Sequence, residues 1–327
     1  MDQVPNMPPE AGPNDQPVLA PAVIAGQVEG PVRAWSIVGQ LVIGLLLAVA
    51  ACFALMLAAG FFMGFGTALQ GGKPDPADIG NDVMAFMVRP TGMSLSILLT
   101  EAVFLGVALF GVRRLTGAKL DNLGLRRPAI PWFAYPLFAA GSAAVAAFGE
   151  VLATPINELI PSTLDTEKLC GQVTWATGIP FVTIITLAPG FVEELLCRGY
   201  VQRRLLRRWR PWSAILFASV AFAVLHLDPT SVASALPGGI WLGILAWRTG
   251  SIWPGVAGHM FVNALWNIWG ICVQKLDISE DSANAAALVA AACALVGLVG
   301  SVVLLVRMRT RAVVLAQPAA APDSTVC

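Results

Sequence analysis

Residues 37–66 run for thirty positions without a charged side chain. As a helix that stretch is about 45 Å long, more than the ~30 Å hydrocarbon core of a bilayer. Inside hydrocarbon each backbone N–H and C=O must find its partner within the protein, so a span is either a helix or a strand of a closed barrel. The run is continuously apolar, without the period-two alternation of a barrel strand, which leaves the helix. Seven more apolar stretches follow at 93–112, 132–154, 178–202, 211–228, 236–248, 252–273 and 285–306. The sixth is the shortest and is flanked by Gly and Pro, and the fourth is interrupted by Pro189-Gly190. With 57% hydrophobic and 12% charged residues, the chain is far more apolar than a soluble domain. The expected fold is an all-α polytopic bundle of about eight transmembrane helices.

Charge sets the expected orientation. Fifteen of the twenty basic residues fall in alternate connections: Arg33 before the first span, Arg113 to Arg127 after the second, Arg203 to Arg210 after the fourth, Arg248 after the sixth and Arg307 to Arg311 after the eighth. Lys73, Arg89, Lys168 and Lys275 fall on the other side among acidic residues. The positive-inside rule then gives a multi-pass inner-membrane protein with both termini cytoplasmic. Residues 1–32, rich in Pro, Gly, Asn and Asp, are expected to be a disordered tail, and 311–327 a second one. The transmembrane domain is thus 33–310. Formal net charge is zero, and no nucleic-acid partner is expected. The six cysteines include no CxxC and suggest no disulfide framework.

Against this background, Glu193, Glu194 and Arg198 stand out. Ionisable groups at bilayer depth are costly and are functional candidates by default. On a helix Glu194 and Arg198 are i,i+4 neighbours, acid first, the better order for an ion pair. Glu193 points about 100° away and is left free by that pair. The chain has only two histidines, both inside expected spans: His226, four residues after Phe222, and His259, four residues before Asn263. Counted from the basic ends, Glu193 lies about 15 Å deep, His226 about 21 Å, and His259 with Asn263 about 10–16 Å, depths that permit one shared cavity.

A glutamate beside a water can act as general base with a histidine sharing the proton work. An His–Asn pair one turn apart can donate to a developing oxyanion. Two histidines and a carboxylate are equally a zinc arrangement, for which Glu193, His226 and His259 are the candidate ligands and zinc the candidate cofactor. There is no HExxH, and no serine stands in a nucleophile elbow.

The run EELLCRGYVQRRL resembles the EExxxR motif of the CPBP family, the CaaX proteases and bacteriocin-processing or immunity proteins also called Abi. FAVLH resembles its FxxxH motif and HMFVN its HxxxN/D motif. The order and spacing agree over about residues 178–270. The resemblance implies an intramembrane endopeptidase acting on a peptide or protein substrate, lipidated ones included. It implies Glu193 as general base, with Glu194 as its companion paired to Arg198. His226 would help to hold the water, and His259 and Asn263 would stabilise the oxyanion or, in a metalloprotease, contribute to the metal site. A non-enzymatic immunity protein or a transporter could use the same cavity, although no internal repeat favours a transporter. Glu101 and Glu150, the other acids within spans, read as buried packing or hydrogen-bonding groups.

Overall fold

The computed structural model describes residues 34–113, 123–162, 165–276 and 278–308. Both expected tails lie outside these, as do Arg33, Arg114, Lys119, Arg309 and Arg311. The described residues are helical, with no strand among them. The helices are α1 (Ala34–Leu69), α2 (Pro76–Met87), α3 (Pro90–Arg113), α4 (Ala134–Leu159), α5 (Thr166–Gln172) and α6 (Trp175–Glu194). A π-helical segment, Leu195–Gln202, continues α6 into a short turn, α7 (Arg203–Leu205), followed by α8 (Pro211–Val224), α9 (Pro229–Thr249), α10 (Trp253–Lys275) and α11 (Glu280–Arg307).

Seven of these helices are long and apolar enough to cross a membrane. The fifth expected span, 211–228, is cut short. α8 has 14 residues, about 21 Å, and ends at Val224. The chain turns through Leu227, whose φ of 62° is left-handed. Asp228 then caps α9 by accepting from the Ser231 backbone N–H at 2.8 Å, with Pro229 at the first helical turn. That cap adds about two turns to the start of the expected sixth span. With Pro237 absorbed inside the helix, the shortest stretch in the sequence becomes a full crossing of 21 residues.

Two short helices have no counterpart among the apolar stretches. α2 is capped by Asp75 and lays Ile79 and Val83 against α1 at Gly64 and Gly60. α5 is capped by Asp165.

Hydrogen bonds tie the connections at each end of the bundle. At one end Arg203 Nη1 donates to Gly250 O at 2.9 Å, the Ser251 hydroxyl to Arg126 O at 2.7 Å, and Arg248 Nη2 to Met308 O at 2.7 Å. The described basic connections are therefore neighbours in space. At the other end Lys275 Nζ donates to Gly171 O at 2.7 Å and the Thr230 hydroxyl to Ile160 O at 3.4 Å. The largest core cluster surrounds the π segment, where Leu195, Leu196, Cys197, Val201 and Leu205 meet Phe104 and Ala108 of α3 and Ala214, Ala218 and Phe222 of α8. Apolar side chains such as Leu46, Phe53 and Phe61 of α1 and Val289, Val296 and Val303 of α11 point outward, as a lipid-facing surface requires.

Candidate active site

Helix α6 does not break at Pro189-Gly190. It runs on to Glu194 and then widens into the π segment, a form common at functional positions. Glu194 and Arg198 are both fully buried, and Arg198 Nη1 donates to Glu194 Oε1 at 2.6 Å. The guanidinium is satisfied further by donating Nη2 to Gly239 O at 2.9 Å and by lying over the Phe222 ring at 4.3 Å. One turn on, Gln202 Nε2 donates to Gly243 O at 2.9 Å. Two side chains of the π segment, four residues apart, thus fasten to two consecutive turns of α9.

His259 of α10 stands between the two glutamates. Its Nδ1 is 3.3 Å from Glu194 Oε1 and its Nε2 is 3.7 Å from Glu193 Oε2. A carboxylate that is already paired with Arg198 accepts the Nδ1–H, which fixes the tautomer and turns Nε2 toward Glu193. Gly255, one turn before His259, leaves room for this: a Cβ there would come within 2.7 Å of Glu194 Oε2. Glu193 keeps about one-eighth of its side-chain surface exposed, whereas Glu194 keeps none.

His226 has its Nδ1 3.1 Å from Phe222 O. A backbone carbonyl only accepts, so Nδ1 carries the proton and the Nε2 of the neutral ring is an acceptor. The Phe222 phenyl makes T-shaped contacts with both imidazoles, with centroids at 5.2 Å from His226 and 5.7 Å from His259. A cavity of about 170 Å³ follows, walled by His226, His259 and Asn263 together with Glu150, Trp241 and Trp266. Neither Glu193 nor Glu194 is in that wall, and His259 links the glutamates to it.

Asn263 spends one amide N–H on Ile185 O at 3.1 Å. Glu101 of α3 is buried, as expected of a packing group, yet its Oε2 has no hydrogen-bond partner. Glu150, expected from sequence to be a buried packing or hydrogen-bonding group, is exposed and lies at the cavity, where its side chain hydrogen-bonds Trp266. Only its rarity as a charged residue within a span marked it. Trp241 and Trp266 carried no signal of this kind. Of the candidate zinc ligands, Glu193 and His259 approach each other. Yet among the described residues no three His, Cys, Asp or Glu side chains form a group that could hold a metal ion. The residues as placed do not fit a zinc site.

Residues 175–265 match the family model of the type II CAAX prenyl endopeptidases, Rce1-like. That segment is similar to the Rce1-like proteins of the CPBP family. The matched segment opens with α6 and ends inside α10, so it contains all three motifs. The match supports an intramembrane endopeptidase in general. No curated protein and no solved structure matches the chain.

Proposed function

We infer that the chain hydrolyses a peptide bond with a water activated by Glu193 and His259. The observation that carries this reading is the 3.7 Å edge between Glu193 Oε2 and His259 Nε2. It is too long for a direct hydrogen bond, and a water about 2.8 Å from both atoms completes a triangle on it. Glu193 takes a proton from that water as its oxygen attacks the carbonyl carbon. The second amide N–H of Asn263 faces the developing oxyanion, while the two hydrogens of the water go to Glu193 and to Nε2 of His259. The proton carried by Glu193 passes to the leaving amine, so that water is divided between the new carboxylate and the new amine. Glu194 and Arg198 do not touch the reacting atoms. They hold the imidazole.

The family's description points to a prenylated C-terminal peptide as the substrate class, and the basic end of the bundle faces the cytoplasm of an inner membrane by the positive-inside rule. The test uses purified protein in lipid discs with a farnesylated CAAX peptide and its unmodified counterpart, products being read by mass spectrometry. Wild type releases the C-terminal fragment and Glu193→Gln does not. Equal product from Glu193→Gln would overturn the mechanism. Binding without cleavage by wild type would favour the non-enzymatic reading.

A further inference from the structure

Pro189 and Asn263 belong to different helices and meet through one carbonyl. In a continuous helix the carbonyl of Ile185 accepts from the N–H of residue 189. Residue 189 is proline and has no N–H, and its ring crowds that same carbonyl. Ile185 O is nevertheless partnered, because Asn263 Nδ2 donates to it at 3.1 Å across the interface between α6 and α10. The next residue permits the approach. Gly190 is buried, and a Cβ there would lie 2.5 Å from Met260 Cγ and 3.3 Å from the Met260 backbone N. Pro189 thus opens an acceptor, Gly190 clears the surface, and Asn263 occupies the acceptor one turn beyond His259.

We propose that Asn263 is a positioning residue: its amide replaces the hydrogen bond that Pro189 cannot make, and this fixes the register of α10 on α6 that sets His259 beside Glu193. The geometry accounts for a proline one turn before the glutamates in a helix that shows no break. Registers one turn apart along a helix differ by about 5.4 Å, so a fixed point one turn from His259 on one helix and about two turns before Glu193 on the other leaves little freedom between them. The functional consequence rests on the reading of Glu193 and His259 as the water-activating pair. The contact itself does not.

The experiment separates the two. Ile185–Thr186 is the one Ile–Thr step in the sequence, so carbonyl-13C isoleucine with 15N-threonine isolates a single peptide-bond signal in the full chain. The two histidines give a second, equally simple 15N spectrum. Asn263→Leu removes the donor at nearly constant volume. It is expected to shift the Ile185 carbonyl signal upfield, to move the His259 ring signals and to lower kcat by ten- to a hundredfold with KM little changed, the scale of loss for misplacement of about 1 Å. Pro189→Ala returns an N–H to Ile185 O. In that background Asn263→Leu is expected to have less than a third of its effect on the His259 signals, while the part of the kcat loss that comes from the oxyanion donor remains. If Asn263→Leu fails to accumulate, Asn263→Ala serves, because a methyl group cannot donate and the carbonyl signal should shift in the same way. An unmoved Ile185 signal overturns the contact. Equal effects of Asn263→Leu on the His259 signals in both backgrounds overturn the positioning role and leave Asn263 acting on the oxyanion alone. A wild type that cleaves nothing defeats the protease reading, while the two spectra still decide the positioning of His259.

Discussion

His259 and Glu194, 65 residues apart in sequence, face each other at 3.3 Å between Nδ1 and Oε1. The same carboxylate oxygen takes the Arg198 guanidinium at 2.6 Å. Glu194 is therefore a joint between the ion pair within α6 and its π continuation and the imidazole of α10. The two adjacent glutamates do different work because one is held from two sides and the other from one.

That difference is measurable as stability. Arg198→Ala leaves Glu194 buried without its cation, and loss of one partner of a buried pair costs about 3–5 kcal/mol. Glu193→Gln removes no direct hydrogen bond and is expected to stay within about 1 kcal/mol of wild type, in the range of ordinary substitutions. Equilibrium unfolding in mixed detergent micelles reads both. A Glu193→Gln protein destabilised more than Arg198→Ala would reverse the assignment.

Gly255→Ala sets two effects against each other. Alanine in a helix interior is favoured over glycine by about 1 kcal/mol. Its Cβ would stand 2.7 Å from Glu194 Oε2, and the carboxylate would have to turn away from His259. The net change in stability is expected to be small while kcat falls at least tenfold, as misorientation of a catalytic group predicts. Full activity in this variant would show that Glu194 does not orient the ring.

Metal removal is expected to leave cleavage intact, because the candidate ligands form no metal-holding group as placed. The measurement is residual zinc by mass spectrometry alongside turnover, after chelation and again after stoichiometric zinc. About one equivalent of zinc, with activity lost on stripping and restored on return, would assign the chemistry to a metal.

Topology is tested in a parent without native cysteines. Lys73→Cys and Arg208→Cys lie at opposite ends of the bundle, and both native side chains are exposed. An impermeant thiol reagent applied to intact cells should label position 73 and spare position 208. The opposite pattern would invert the protein and put the basic end outside.

Glu150 is the acidic residue of the cavity wall, beside Trp241 and Trp266. Carboxylate and indole together favour a cationic group. Glu150→Gln is expected to lower kcat/KM for peptides with Lys or Arg near the scissile bond while peptides with apolar residues there are cleaved as before. An equal loss for both peptide sets would make Glu150 a structural residue.

Most of the bundle was legible because hydrocarbon leaves a chain few options. Seven of the eight apolar stretches became full crossings, and the three motifs marked the segment that the family model covers. The proximity of Glu194 and Arg198 is local and follows from spacing. The errors came where a cap or a neighbouring helix decides. The length of α8 and α9 turns on Asp228 and Pro229, which hydropathy does not weigh. Pro189-Gly190 suggested an interruption because the partner of Ile185 O sits on another helix, 78 residues away. The link from Glu194 to His259 is likewise a long-range contact with no local signature, and so is the place of Glu150 in the cavity wall.

The paired bonds from Arg198 and Gln202 to Gly239 and Gly243 close one side of the site. Parting that seam would strand a buried guanidinium and an amide in hydrocarbon, so it cannot serve as a door. The cavity wall also includes Glu150 of α4, which is exposed, and Trp266 of α10, which keeps 40% of its surface exposed. Under the proposed function a polypeptide would meet the site at this exposed edge and not through the seam to α9.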